Sequence, residues 1–322
     1  MKIGVTGGNG FIGRYVCEEI EARGHEALVF DHHAHGRRGP HAAPEREVML
    51  GDIRDATAMV ELAAHCDGII HLAAVLGTQE TILNPRPAAE TNLVGGLNFL
   101  EAVTQYQLPG VYIGVGNHWM NNSYSISKTA VERFVSMFNA DRGSRVNVVR
   151  AVNAYGPRQL AAAPFGPGKV RKITPAVVCR ALCGMPVELY GGGHQISDMV
   201  WVGDVAKALV SAFEAAEAGT VLDHVVECGP VASTTIRRVA EIVIDQCEAK
   251  GYPRVEIVDL PMRPGEQAGA VVSADAETLR AVGIDPADLV SLETGLERTV
   301  DWFIATQGEH WTAPESLALA TR

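Results

Sequence analysis

The stretch Lys2-Ile3-Gly4-Val5-Thr6-Gly7-Gly8-Asn9-Gly10-Phe11-Ile12-Gly13 runs from a short β-rich segment, through a cluster of glycines, into a helical pattern. It satisfies two spacings, Gly8-x-Gly10-x-x-Gly13 and Gly7-x-x-Gly10-x-x-Gly13. In either register the glycines permit a tight turn and let N–H groups at a helix start approach a pyrophosphate with no Cβ in the way. A plain glycine turn is the competing reading of such a motif taken alone. Here Asp31 ends the second β-rich run 18 residues after Gly13, where an acid meets an adenosine ribose in dinucleotide-binding folds.

The same alternation continues along the chain. Residues 2–6, 27–30, 48–50, 68–72, 110–115 and 145–150 read as strands, and residues 11–23, 56–64, 91–105 and 124–141 as helices. This β-α repetition specifies a doubly wound parallel α/β sheet, buried on both faces, which binds ligands beyond the carboxyl ends of its strands. A Gly/Pro-rich stretch at residues 155–169 breaks the pattern and reads as a boundary or a functional loop. Beyond it, helices are expected near residues 175–183, 204–215, 234–249, 276–282 and 292–306, with strands at 187–190, 199–202, 225–228 and 255–258. Residues 307–322 read as a polar, mobile tail.

A length of 322 residues suits two domains. The composition, 47% hydrophobic and 20% charged, is that of soluble globular proteins, and a net charge of −11 argues against general nucleic-acid or anionic-membrane binding. No apolar run reaches bilayer-spanning length, and the first residues do not read as a secretory leader. The six cysteines form no Cys-x-x-Cys pair and sit mostly in apolar segments, as reduced thiols do, so a cytoplasmic protein is expected. His32, His33, His35 and His41 cluster in one loop without a second Cys/His group, and Cys179 and Cys183 lack partner ligands nearby, so no metal site is assigned. Asp31 favours NAD over NADP, whose 2′-phosphate a carboxylate repels, while Arg37 and Arg38 are the residues that favour the other choice.

Tyr124-Ser125-Ile126-Ser127-Lys128 makes the pattern specific. With it, the chain resembles, almost end to end, the extended short-chain dehydrogenases/reductases of the nucleotide-sugar epimerase/dehydratase type. Matching blocks are Gly51-Asp52, His71-Leu72-Ala73-Ala74, Asn92 with Gly95, and Arg150 with Asn153-Ala154-Tyr155-Gly156-Pro157-Arg158. Later ones are Gly191-Gly192-Gly193, Asp198 with Asp204-Val205, and Arg263-Pro264-Gly265-Glu266. The resemblance implies a Rossmann domain over residues 1–155 and a smaller α/β nucleotide-sugar-binding domain over residues 156–322, with residues 195–230 or so returning to the main sheet. It implies that Gly7, Gly10, Phe11, Ile12, Gly13, Asp31, His32, Asp52, Ile53, Leu72, Ala73, Ala74, Asn92, Tyr124 and Lys128 contact NAD. Asn153, Lys172, Leu189, Tyr190 and Arg263 would contact a UDP-sugar or, less favoured, a dTDP-sugar, with Asn153 and Arg263 on its diphosphate. Relatives pair through the helices at 91–105 and 124–141, so a homodimer is implied, with Ala102, Val103, Ala130, Val131, Phe134 and Phe138 supplying apolar surface.

Tyr124 and Lys128 are four apart on a helix and project from one face. A free phenol, with a pKa of about 10, is a poor base at neutral pH. A neighbouring ammonium and the positive nicotinamide ring favour the phenolate, so Tyr124 takes a sugar-hydroxyl proton while the carbon gives hydride to NAD. Lys128 also suits the nicotinamide-ribose hydroxyls. Two departures accompany the pair. Relatives carry a Ser or Thr just after the fifth strand, whereas this chain has Gly114-Val115-Gly116-Asn117-His118. Asn117, His118, Ser123 and Ser125 stand as replacements, His118 also as an acid/base near neutrality. Ser197 stands where relatives often place a diphosphate-binding Arg, which leaves that contact missing or supplied by Lys169, Arg171 or Lys172. The Asp-Glu pair that marks 4,6-dehydratases is also absent from Gly116-Asn117-His118. The expected activity is an NAD-dependent nucleotide-sugar 4-epimerase working through a transient 4-keto sugar. The alternatives are a dehydratase or other 4-keto-forming enzyme, and a catalytically silent NAD-binding protein.

Overall fold

A computed structural model describes residues 1–32, 46–263, 266–267 and 269–314. His33, His35, Arg37, Arg38, His41, Pro264 and Gly265 lie outside the described residues. The chain divides into two compact units. The first comprises Met1–Val152, Val202–Val231 and Ala274–Leu289, and the second Asn153–Trp201, Ala232–Ser273 and the residues from Val290 on.

The first unit opens with β1 (Lys2–Thr6), α1 (Phe11–Ala22), β2 (Glu26–Asp31), β3 (Val48–Leu50), α2 (Ala56–Ala64) and β4 (Gly68–His71). Two short helices follow, α3 (Thr78–Leu83) and α4 (Arg86–Ala89), then α5 (Gly95–Gln105), β5 (Pro109–Val115), α6 (Ser123–Arg142) and β6 (Arg145–Ala151). The second unit contributes β7 (Asn153–Tyr155), α7 (Ile173–Leu182), β8 (Val187–Tyr190), β9 (Ile196–Ser197) and β10 (Met199–Trp201). The chain then re-enters the first unit for α8 (Val202–Glu217) and β11 (Val226–Cys228). α9 (Ile236–Ala249), β12 (Ile257–Leu260), β13 (Val271–Val272) and α10 (Leu292–Ala305) belong to the second.

The seven strands of the first unit form one parallel sheet in the order β11-β6-β5-β4-β1-β2-β3. The apolar runs that read as strands are buried, including Ile3, Val5, Leu28, Phe30, Ile69, Ile70 and Val111, as a sheet covered by helices requires. Thr6 at the end of β1 pairs with Phe30 on one side and His71 on the other, so the strand order reverses at β1. That reversal opens the crevice in which such sheets bind ligands. Ala102, Val103, Val131 and Phe138, expected at a two-fold surface, are buried in this unit's own core, and Phe134 packs against it. An apolar helical stripe looks the same in sequence whether it faces its own sheet or a partner.

In the second unit β7 pairs with β10, β8 with β12 and β9 with β13, all in parallel, around a core drawn from α7, α9 and α10. Gly191, Gly192 and Gly193 have φ of 61°, 71° and 69°, a left-handed turn that only glycine adopts without strain over three residues. Several sequence expectations shift. Residues 276–282 form a 3-10 helix rather than an α-helix, and the strand expected at 255–258 lies at Ile257–Leu260. The supposed mobile tail begins as packed chain: Trp311 is 2% exposed and its Nε1 donates to Phe303 O at 2.6 Å, while Thr312 N donates to Phe165 O. One buried tryptophan outweighs the polar character of its neighbours.

Candidate active site

The glycine turn settles into the Gly7, Gly10, Gly13 register. Gly7 has φ 71°, and a Cβ on it would lie 3.0 Å from Ala73 Cα, so the turn packs directly on the segment after β4. A Cβ on Gly13 would lie 2.3 Å from Gly7 O and 2.7 Å from Gly8 Cα. The helix α1 thus starts with Gly10 as its cap, no capping side chain and no acid in its first turn, where Phe11 and Ile12 sit. Its N–H groups and dipole suit a pyrophosphate. Asp31, 8% exposed, accepts from Asn9 N at 3.2 Å and faces His32 Nδ1 at 3.3 Å, which places a buried carboxylate one strand from the glycine cradle. These are the features that a dinucleotide's diphosphate and adenosine ribose require, so the residues present fit that group. Asp52 pairs with Arg54, which holds its carboxyl below the usual range. Ile53 packs in the core against Gly95, and its carbonyl accepts from Asn98 Nδ2. Leu72, Ala73 and Ala74 are half-buried. Thr6 Oγ1 accepts from the N–H groups of Leu72 and Ala73 and contacts His71 Nδ1 at 3.0 Å.

Asn92 lies in a π-helical turn, Glu90–Val94, where a regular helix start is expected from sequence. The widened turn, a form often found at functional sites, lets one amide bind three partners. Its Oδ1 accepts from Val75 N at 2.8 Å, and its Nδ2 donates to Val75 O and to Ser127 Oγ. Ser127 in turn donates to Tyr124 O.

Asn122 caps α6 by accepting from Ser125 N, and this sets the first turn that carries Tyr124. Tyr124 is half-buried, and burial pushes its phenol up rather than down. Lys128, 1% exposed, lies with Nζ 4.0 Å from the centre of the Tyr112 ring. Burial pulls its amine down to about 7, opposed by the carboxylate of Glu132 one turn further along α6. Tyr112 itself stacks beside His71, whose imidazole burial holds well below its usual range, with the charge of Lys128 as a second cause. A depressed amine makes folding pH-dependent: the unfolded chain holds the extra proton between about pH 7 and 10, so stability rises with pH there. The cofactor-free protein should gain about 1.4 kcal/mol per pH unit from this group above pH 7. Melting curves of Lys128→Met against the unaltered chain, from pH 7 to 9, check this; parallel slopes would refute it.

The positions that lack the hydroxyl after β5 are closely packed. A Cβ on Gly114 would lie 2.2 Å from Glu132 Oε1 and 2.8 Å from Arg150 Cγ, and one on Gly116 would lie 2.9 Å from Val152 Cα. The space beside Gly114 is filled by a partly buried ion pair, the buried Glu132 with the half-buried Arg150, at 2.5 Å. Arg150 also reaches Glu227 at 3.4 Å. Glu132 is the site residue that sequence reading misses; its signal is the i,i+4 spacing from Lys128. Beyond Gly116, Asn117 Nδ2 donates to Met120 Sδ and its Oδ1 accepts from Ser125 Oγ at 3.4 Å. Ser123 donates to Pro85 O. His118 Nδ1 and Asn122 Nδ2 are buried without a hydrogen-bond partner among the described residues.

In the second unit, the Asn153 amide donates to Ser197 Oγ at 2.6 Å and to Asp198 O at 3.1 Å, so its donors are engaged within the unit. Leu189 is buried in the core, and Lys172 stands at the N-cap position of α7 without a capping side-chain hydrogen bond. Tyr190 and Arg263 meet, with the guanidinium 4.7 Å from the ring centre. No group of metal-ligating residues occurs among the described residues, and no described helix is long and apolar enough to cross a membrane.

A parallel sheet with a glycine cradle at its reversal point, an acid closing β2 and a Tyr-x-x-x-Lys pair on α6 define a Rossmann enzyme of the extended short-chain dehydrogenase/reductase class. The chain belongs to the NAD-dependent epimerase/dehydratase family, which it matches over residues 3–229, and its cofactor is NAD. It is 26% identical over 316 residues to a putative UDP-glucose 4-epimerase of Methanocaldococcus jannaschii, covering 92% of this chain and 97% of that one. It is 27% identical over 346 residues to a dTDP-glucose 4,6-dehydratase of Xanthomonas campestris, covering 94% and 93%. Among solved structures, UDP-glucose 4-epimerase of Thermus thermophilus in complex with NAD superposes with a TM-score of 0.78 at 29% identity, covering 94% of this chain and 99% of that one.

Proposed function

We propose that the protein is a nucleotide-sugar 4-epimerase acting through a transient 4-keto sugar. The observation that carries the reading is the loop after β5, where Asn117 and His118 replace carboxylates beside an intact Tyr124 and Lys128. Elimination of water needs an acid and a base at the neighbouring carbons, and among this loop's side chains there is no carboxylate to serve. Gly7, Gly10, Gly13 and Asp31 would hold NAD, which when bound supplies reversible hydride acceptance. Tyr124 Oη takes the proton of the sugar hydroxyl as the ketone forms and returns it as the hydroxyl is restored. Lys128, when protonated, lowers the cost of the phenolate. Both UDP-sugars and dTDP-sugars are candidate substrates, since relatives named for each are about equally similar.

Turnover in deuterated water tests the reaction class. UDP-glucose, UDP-N-acetylglucosamine, UDP-glucuronate and dTDP-glucose would each be followed by NMR. A 4-epimer free of carbon-bound deuterium is expected, because the same hydrogen leaves and returns. Deuterium beside C4, or a 6-deoxy-4-keto product, would assign the chain to the dehydratase side instead.

We also infer a homodimer. Val94, Ile126 and Met137 stay exposed on or beside α5 and α6, at 42%, 57% and 41%, and provide apolar surface for a two-fold contact. Sedimentation at micromolar concentration should give twice the chain mass; a monomer there discards the dimer.

A further inference from the structure

One ring holds both ends of Lys128. Tyr112, fully buried on β5, donates from its hydroxyl to Lys128 O at 3.3 Å, and its ring centre lies 4.0 Å from Lys128 Nζ. Stacking fixes the plane of that ring. His71, its partner in register on β4, lies 5.8 Å away at an interplanar angle of 13°, and Phe99 of α5 stacks on His71 at 4.9 Å. Residues 112 and 114 share one face of β5, as 128 and 132 share one face of α6. Glu132 Oε1 fills the place beside Gly114 where a Cβ would go, so the ring on this face is followed by a carboxylate. Among the described residues Lys128 Nζ meets no hydrogen-bond acceptor, and the electron-rich surface it touches is the ring. Burial holds the Tyr112 phenol well above its usual range, so the charge meets a neutral π face and not a phenolate. The other ionisable groups around the ammonium are His71 of β4, kept neutral by burial, and Tyr124 and Glu132 of α6. Behind Glu132 stand Arg150 of β6 and Glu227 of β11. Glu80, Arg86, Glu90 and Glu101, on the segments packed against α6, are exposed.

We propose that Tyr112 is a positioning residue for Lys128: its ring face is the seat of the ammonium in the reacting site, in place of a hydrogen-bond acceptor. The inference rests on the nucleotide-sugar reading above, in which a protonated Lys128 lowers the cost of the Tyr124 phenolate. A cation over a π face is held most strongly where water is excluded, and Lys128 is 1% exposed. Burial pulls the amine down to about 7, and Glu132 and the ring both act against that pull. Removing the attraction of the ring therefore lowers the amine further.

Fluorine withdraws electron density from a ring with little change of shape, so fluorination separates attraction from packing. The full chain would be labelled with carbon-13 at the lysine ε carbon, Lys128→Met identifying the signal, and titrated by NMR. Tyr112→Phe should leave the amine at about 7, because the π face stays. Tyr112→trifluorophenylalanine should lower it by about one pH unit. In the NAD-loaded protein the fall of turnover on the alkaline side, where Lys128 gives up its proton, should move to lower pH by the same amount. An amine that titrates alike with all three rings overturns the inference, as does a fall of turnover that does not follow the amine. If none of the candidate sugars is turned over, the nucleotide-sugar reading falls, while the titration still decides where the ammonium is seated. Should the trifluorinated ring prevent folding, a singly fluorinated one decides: a smaller drop in the same direction supports the inference, and no shift overturns it.

Discussion

Tyr124→Phe is expected to lower turnover by about 10²–10⁴-fold, the usual contribution of a positioned general acid/base, while NAD affinity and melting temperature stay near those of the unaltered protein. The ring stays and only the hydroxyl goes. The backbone at this position is anchored independently of that hydroxyl, since Tyr124 N donates to Thr81 Oγ1 and Tyr124 O accepts from Ser127 Oγ. A loss of rate then reports chemistry rather than a displaced helix. NMR turnover assays alongside NAD titration separate the two effects. Undiminished turnover would remove Tyr124 from the mechanism, and a matching loss of NAD affinity would make its hydroxyl a cofactor contact instead of the acid/base.

Glu132→Ala should have the largest effect on stability. It strips the guanidinium of Arg150, whose side chain is 17% exposed, of its close partner and leaves, among the described residues, Glu227 at 3.4 Å. Breaking a fully buried ion pair from one side costs about 3–5 kcal/mol; with Arg150 half-buried and Glu227 still in reach the loss should lie near the lower end, about 3 kcal/mol, against a total of about 5–15 kcal/mol for an ordinary domain. The same change removes the one carboxylate that raises the Lys128 amine, so that amine should fall further below about 7. Urea unfolding measures the first consequence. Glu132→Ala combined with Arg150→Met should lose less than the sum of the single changes, because the second removes the stranded charge. Strict additivity, or a loss under about 1 kcal/mol, would mean the pair behaves like a surface salt bridge.

Much of the fold was legible because its signals are local. The run of glycines, the acid that closes β2 and the alternating apolar segments each declare themselves within a few residues. The Tyr124 and Lys128 spacing is equally local. What stayed hidden depends on partners distant in sequence. Gly114 looks like a lost hydroxyl until Glu132 and Arg150 are seen filling the space where a Cβ would go. The stripe of Ala102, Val103, Val131 and Phe138 carries no mark of which surface it covers. Trp311 sits in a polar stretch and is buried all the same, because its indole finds Phe303 O. The π turn at Asn92 is likewise invisible, since helix periodicity over five residues does not separate the two windings.

The interleaving of the two units has a consequence in time. β6 leads straight into the second unit at Asn153, yet its sheet neighbour β11 begins only at Val226. On a ribosome making about 5–20 residues per second, some 4–15 s separate the two strands. During that interval β6 is an open edge that carries the apolar Val146, Val148 and Val149, the kind of strand that pairs with other chains. The first unit is complete only when Leu289 of 322 has been added. Chaperone demand during synthesis should therefore peak between these two strands, and slowing translation over residues 152–226 should increase aggregation more than slowing it anywhere after them.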